Sequence, residues 1–152
     1  MIQRVQTIWL FLAGMMLFLL LILPVLALHN YTGDLSLQVG GIYQNGAKVS
    51  QKMETYSALF GETIVVGLIC IANIFSFGNR TLQKRITLFC ILLIVQLAAW
   101  IVFYALKFPG GLDGVTLRIG AALPLLAIIF CALAFRGIRK DEQLIKSADR
   151  LR

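Results

Sequence analysis

Leu17-Phe18-Leu19-Leu20-Leu21-Ile22-Leu23 is the stretch that decides the fold. Seven large apolar residues in a row leave no polar face, so this is not the amphipathic helix of a soluble domain. The apolar run around it covers residues 5–28, with no charged side chain after Arg4. Crossing the hydrocarbon of a bilayer takes ~20 mainly apolar residues. Signal-peptide cores are roughly 7–15 residues long and end at a small-x-small site. This run is longer, and Pro24-Val25-Leu26-Ala27-Leu28 offers no Ala-x-Ala, so a retained transmembrane helix is expected.

Three further apolar stretches follow, at residues 57–77, 86–106 and 119–135. Lipid gives backbone polar groups no partner, so each is expected to be a helix. The expected fold is an all-α membrane protein, a four-transmembrane-helix bundle forming one domain. Composition agrees. The 152 residues are 59% hydrophobic and 14% charged, against roughly 45–50% apolar and about 25% charged for soluble domains.

Charge orients the bundle. With the N-terminus inside, the inner segments carry Arg4, Arg80, Lys84, Arg85, Arg136, Arg139, Lys140, Lys146, Arg150 and Arg152, which is ten of the 14 basic residues. The outer segments carry Lys48, Lys52, Lys107 and Arg118. The positive-inside rule selects this arrangement, with both termini cytoplasmic. Trp9 and Tyr31, then Trp100 and Tyr104, stand near span ends, as interfacial aromatics do.

The first outer loop, residues 29–56, holds Leu35-Ser36-Leu37-Gln38-Val39, which alternates with a period of two. Asn45-Gly46 follows between strand-like residues and favours a type I′ turn. A small β-hairpin on the outer helix ends is expected. Lys107-Phe108-Pro109-Gly110-Gly111-Leu112-Asp113-Gly114 reads as a tight turn, and residues 78–85 as a short inner loop. The tail, residues 137–152, spaces Ile138, Ile145, Ala148 and Leu151 helically and places Glu142 one turn before Lys146. It is an amphipathic helix with three expected uses: prolonging the fourth span, lying on anionic lipid, or docking on a protein through its apolar stripe.

Polar residues within spans are costly in lipid and are the first candidates for function. They are Glu62, Asn73, Gln96 and, at the outer surface, Arg118. Glu62 is expected to pair with Arg118 or Lys107, or to snorkel towards water. Gln96 is expected to act as glue inside the bundle, donating to a carbonyl freed by Pro24 or Pro124. Ser57 and Gly61 allow close helix contact within the bundle or between protomers. Cys70, Cys90 and Cys131 form no closely spaced pair, and each reads as a small buried hydrophobe. His29 reads as a solvated interfacial residue. No cluster of catalytic, metal-ligating or phosphate-binding residues is present in the sequence, so no enzymatic activity, cofactor or metal is expected.

The ends Met1-Ile2-Gln3-Arg4-Val5-Gln6-Thr7-Ile8-Trp9-Leu10 and Ile138-Arg139-Lys140-Asp141-Glu142-Gln143-Leu144-Ile145-Lys146-Ser147-Ala148-Asp149-Arg150-Leu151-Arg152 resemble a domain-of-unknown-function family of small four-span bacterial inner-membrane proteins. The resemblance implies topology and localisation, and no activity. The order of elements is also similar to the claudin-like tetraspan plan, without its loop signature. The expected function is a non-catalytic accessory or scaffold subunit of an inner-membrane complex. Its contacts to protein or lipid would run through Arg80, Lys84, Arg85, Arg139, Lys140, Ile145, Lys146, Arg150 and Arg152. The expected partners are membrane lipids and membrane or cytoplasmic proteins, with nucleic acid entering only as ribosomal RNA in a membrane-bound assembly. The alternative is a small transporter or channel using Glu62 and Gln96.

Overall fold

The computed structural model describes residues 5–30, 33–45, 50–107 and 115–149. Four helices dominate: α1 (Val5–Ile22), α2 (Ser57–Ala72), α3 (Arg80–Leu106) and α4 (Leu123–Asp149). A 3-10 turn, Asn73–Gly78, extends α2, and another, Ile119–Ala122, leads into α4. Each helix, with its adjoining turn, is long and apolar enough to cross a membrane.

The cap over one end of the bundle is larger than the expected hairpin. Five strands form one antiparallel sheet in the order β4-β3-β2-β1-β5. They are β1 (Leu26–Asn30), β2 (Gly33–Gln38), β3 (Gly41–Asn45), β4 (Ser50–Thr55) and β5 (Val115–Leu117). The first helix therefore stops at Ile22 and not at Leu28. Pro24 has no N–H with which to continue the ladder, and the chain turns into β1. The alternating Leu35–Val39 segment supplies β2, which hairpins onto β3 with Gln38 opposite Gly41. The β3–β4 pairing closes around Asn45 and Ser50. The turn expected there falls on residues 46–49, and the second outer turn on residues 108–114, both outside the described residues, as is Tyr31.

Two packed clusters hold the molecule together. At the sheet end, Val25, Leu26, Leu28, Leu37, Val39 and Ile42 meet Leu20, Leu59, Leu97, Ile101 and Leu123 from the four helices. Midway down, Ala13, Leu17, Val66, Cys70, Cys90, Ile94, Ala127 and Cys131 form the second. Small residues let the helices approach. A Cβ on Gly14 would lie 3.0 Å from Ile71 Cγ1 and 3.4 Å from the Gly67 carbonyl oxygen, the close contact that small residues permit between spans.

Backbone hydrogen bonds pin the sheet to the bundle. Arg118 N–H donates to the Val25 carbonyl at 3.0 Å, and Gly120 N–H to Pro24 at 3.1 Å. Position 120 has room only for glycine, because a Cβ would sit 2.5 Å from the Pro24 oxygen. Tyr56 N–H donates to the Gly40 carbonyl at 3.2 Å. Its ring stacks on Tyr104, centroids 4.0 Å apart, and its hydroxyl donates to Glu54 at 2.7 Å. Burial, then the adjacent carboxylate, pushes the Tyr56 phenol upward.

Candidate functional site

The end opposite the sheet, where α1 begins and α4 ends, gathers the polar side chains. Core-facing residues recur at helical spacing on each helix: Gln6, Leu10, Ala13, Leu17 and Leu20 on α1, and Gln83, Thr87, Cys90, Ile94, Leu97 and Ile101 on α3. Gln6, Asn73 and Gln83 are all buried, at 3%, 2% and 1% exposure. A buried amide is costly unless hydrogen-bonded, and a network meets part of that cost for Asn73 and Gln83.

Asn73 Nδ2 donates to Thr87 Oγ1 at 2.9 Å and to the Gln83 carbonyl at 3.3 Å. Gln83 Nε2 returns a bond to the Asn73 carbonyl at 3.2 Å. Thr87 Oγ1 donates to the Gln83 carbonyl at 2.8 Å. These bonds cross-link the end of α2 to the start of α3 and fix which way both amides point. The side-chain oxygens of Gln6, Asn73 and Gln83 are left without a protein donor.

The expected inner loop at residues 78–85 is instead the start of a helix. Asn79 alone separates the 3-10 turn from α3, and its Oδ1 accepts from Leu82 N–H at 3.1 Å as an N-cap. Arg80, Lys84 and Arg85 thus stand in the first turns of α3, where the helix dipole disfavours cations. The far end of α4 offsets this. Arg80 Nη1 donates to the Asp141 carbonyl at 2.9 Å, and Lys84 Nζ meets Glu142 at 2.7 Å.

The tail continues α4 as one unbroken helix to Asp149, as the first of its three expected uses requires. Arg85, Arg136, Arg139 and Lys140 remain exposed on this end. The backbones of Ile145 and Lys146 belong to α4, but their side chains lie outside the described residues, as do Arg150 and Arg152.

The other intramembrane polar residues scatter. Glu62 and Arg118 form no ion pair: Arg118 is exposed, and the Glu62 Oε2 atom is buried without a hydrogen-bond partner. Lys107 lies over the Phe103 ring, 4.3 Å from its centroid. Gln96 is exposed on the outer face of α3, so it cannot be glue inside the bundle, and Pro24 lies beyond the end of α1. Neither Glu62 nor Gln96 lines the crevice under the sheet, which Val25, Leu37, Gln38, Val39, Leu59, Ile101 and Tyr104 surround.

The structure also joins residues that the sequence kept apart. Cys70, Cys90 and Cys131, one each from α2, α3 and α4, are fully buried in one core layer, with the Cys70 thiol beside the other two. All three are free thiols. Among the described residues, no group of three or more His, Cys, Asp or Glu is arranged to hold a metal ion. Gln6, Gln83 and Thr87 are not among the residues singled out from the sequence; each stands at helical spacing from apolar core residues, a pattern that shows only once the inward faces are known.

Four apolar helices, an antiparallel sheet over one end and an amide-lined, cationic opposite end define a four-helix integral membrane protein with a β cap. The chain belongs to the family described as domain of unknown function DUF4293, which matches residues 2–151. None of the curated proteins matches it.

Proposed function

We propose that this protein is a non-catalytic accessory or scaffold subunit of a complex in the bacterial cytoplasmic membrane. Both termini face the cytoplasm, and the basic end of the bundle is the contact surface. The observation that supports this most is the continuation of α4 well past its apolar part, braced by Arg80 and Lys84 on α3. A merely solvated tail has no need of such bracing. The brace engages two of the cations and leaves Arg85, Arg136, Arg139 and Lys140 outward. That strip favours an acidic partner, and the anionic inner leaflet adds ~1 kcal/mol for each basic residue near it.

Purification of the full-length protein in mild detergent, with quantitative mass spectrometry of what accompanies it, tests the reading. The charge-reversed variant R139E/K140E should keep its thermal unfolding profile and lose at least about tenfold of a stoichiometric partner. Undiminished recovery of every companion protein with that variant counts against the basic end as the contact surface.

A further inference from the structure

We infer that the outer face of α3 is a homodimer interface within the membrane, with Gln96 pairing to the same residue of a second copy. This inference is independent of the basic-end reading above. The core stripe of α3 is Gln83, Thr87, Cys90, Ile94, Leu97 and Ile101. At 3.6 residues per turn, Gln96 stands roughly 140° around the helix from the centre of that stripe. Its side chain therefore points away from the bundle, and it is exposed. Among the described residues, nothing hydrogen-bonds its amide.

Depth makes this exposure costly. Tyr104 marks the sheet end of α3 through its stack on Tyr56. Gln96 is eight residues further down, or ~12 Å at 1.5 Å per residue, near the middle of a hydrocarbon layer ~30 Å thick. No water reaches that level, and the side chain is too short to snorkel to the headgroups. Lipid chains offer neither donor nor acceptor.

A carboxamide carries both a donor and an acceptor, so an identical amide related by a two-fold axis satisfies it reciprocally. A second copy in the same membrane brings that group to the same depth. The surrounding face suits such contact. Leu92 and Phe103 are 60% and 50% exposed. Between Gln96 and Phe103 lies exposed Ala99, small enough to let two helices approach.

The test uses full-length protein in phosphatidylcholine–phosphatidylglycerol vesicles, with single-molecule photobleaching over a range of protein-to-lipid ratios. The wild type should reach two steps per spot. Gln96→Leu should weaken association roughly tenfold, as loss of two interhelical amide bonds predicts, and Gln96→Asn should keep most of it. Ala99→Cys should cross-link between copies under a membrane-permeant oxidant, and Leu125→Cys, exposed on α4, should not. The three native cysteines are fully buried, so the wild type is the blank. One-step spots throughout, equal association of Gln96→Leu and wild type, or equal cross-linking at positions 99 and 125 would each overturn the inference. Gln96→Leu replaces a lipid-facing residue, and unchanged thermal unfolding separates lost pairing from lost folding.

Discussion

The two ends of the bundle are held by different physics. At the sheet end, aliphatic side chains from four helices and three strands interlock, and backbone hydrogen bonds tie the sheet to the helices. At the other end, helices α2 and α3 are joined through amide and hydroxyl groups, and α3 is joined to α4 through two cations. The first kind of contact is indifferent to salt and intolerant of added volume. The second tolerates volume better but depends on its donors keeping their acceptors. An unchanging cap and an adjustable base follow from that difference, and substitutions at each end should respond to different conditions.

The largest effect belongs to the sheet end. Gly120→Ala places a methyl group 2.5 Å from the Pro24 oxygen and 2.8 Å from its carbonyl carbon. Both are backbone atoms that cannot swing aside, so the junction between β1, β5 and α4 must open. A loss of about 3 kcal/mol is expected, the upper end of overpacking costs, read as thermal unfolding in detergent. The loss should be the same at low and high salt. A near-neutral Gly120→Ala would show that the cap is not rigidly seated.

Asn73→Leu, of similar size, probes the opposite end. It leaves Thr87 Oγ1 and the Gln83 carbonyl without their Asn73 donor, at a cost of about 2 kcal/mol. The two sites stand at opposite ends of the bundle, so the double variant should lose the sum within ~0.5 kcal/mol. Strong non-additivity would mean that the bundle transmits strain along its length and that the ends are not independent.

The same contrast explains what could be read from residues alone. Four spans were legible because apolar length is a local property, summed over a single window. The inward faces were not. In lipid a helix is apolar all round, and hydrophobic periodicity, which marks the buried side of a soluble helix, disappears. Gln96 therefore reads as a residue inside the bundle, whereas it faces out. β1 was hidden for a related reason. Leu26, Ala27 and Leu28 are all buried, and a short continuous apolar run cannot be told from the end of a helix by periodicity. β5 is three residues long and exists only by pairing with a strand nearly ninety positions earlier. The amide network hides at a helix boundary: Gln83 in a loop would be solvated, whereas Gln83 on α3 falls on the core stripe.

The smallest effect lies at the brace between α3 and α4. Lys84 and Glu142 are 27% and 19% exposed, and a pair near the surface contributes about 0.5–1 kcal/mol. Lys84→Met removes the charge and keeps most of the stem. Global unfolding should move little, because the core clusters do not involve either side chain. The local consequence should be plainer: with the Lys84 tie to Glu142 gone, the far part of α4 opens more often. Amide exchange at residues 141–149 should rise a few-fold while exchange at residues 123–138 stays constant. High salt should produce part of the same change in the wild type, since screening weakens the pair, and none in Lys84→Met beyond what the Arg80–Asp141 contact contributes. Salt-independent exchange in the wild type would place the hold on α4 in apolar packing at Ile138 and remove the contrast between the two ends.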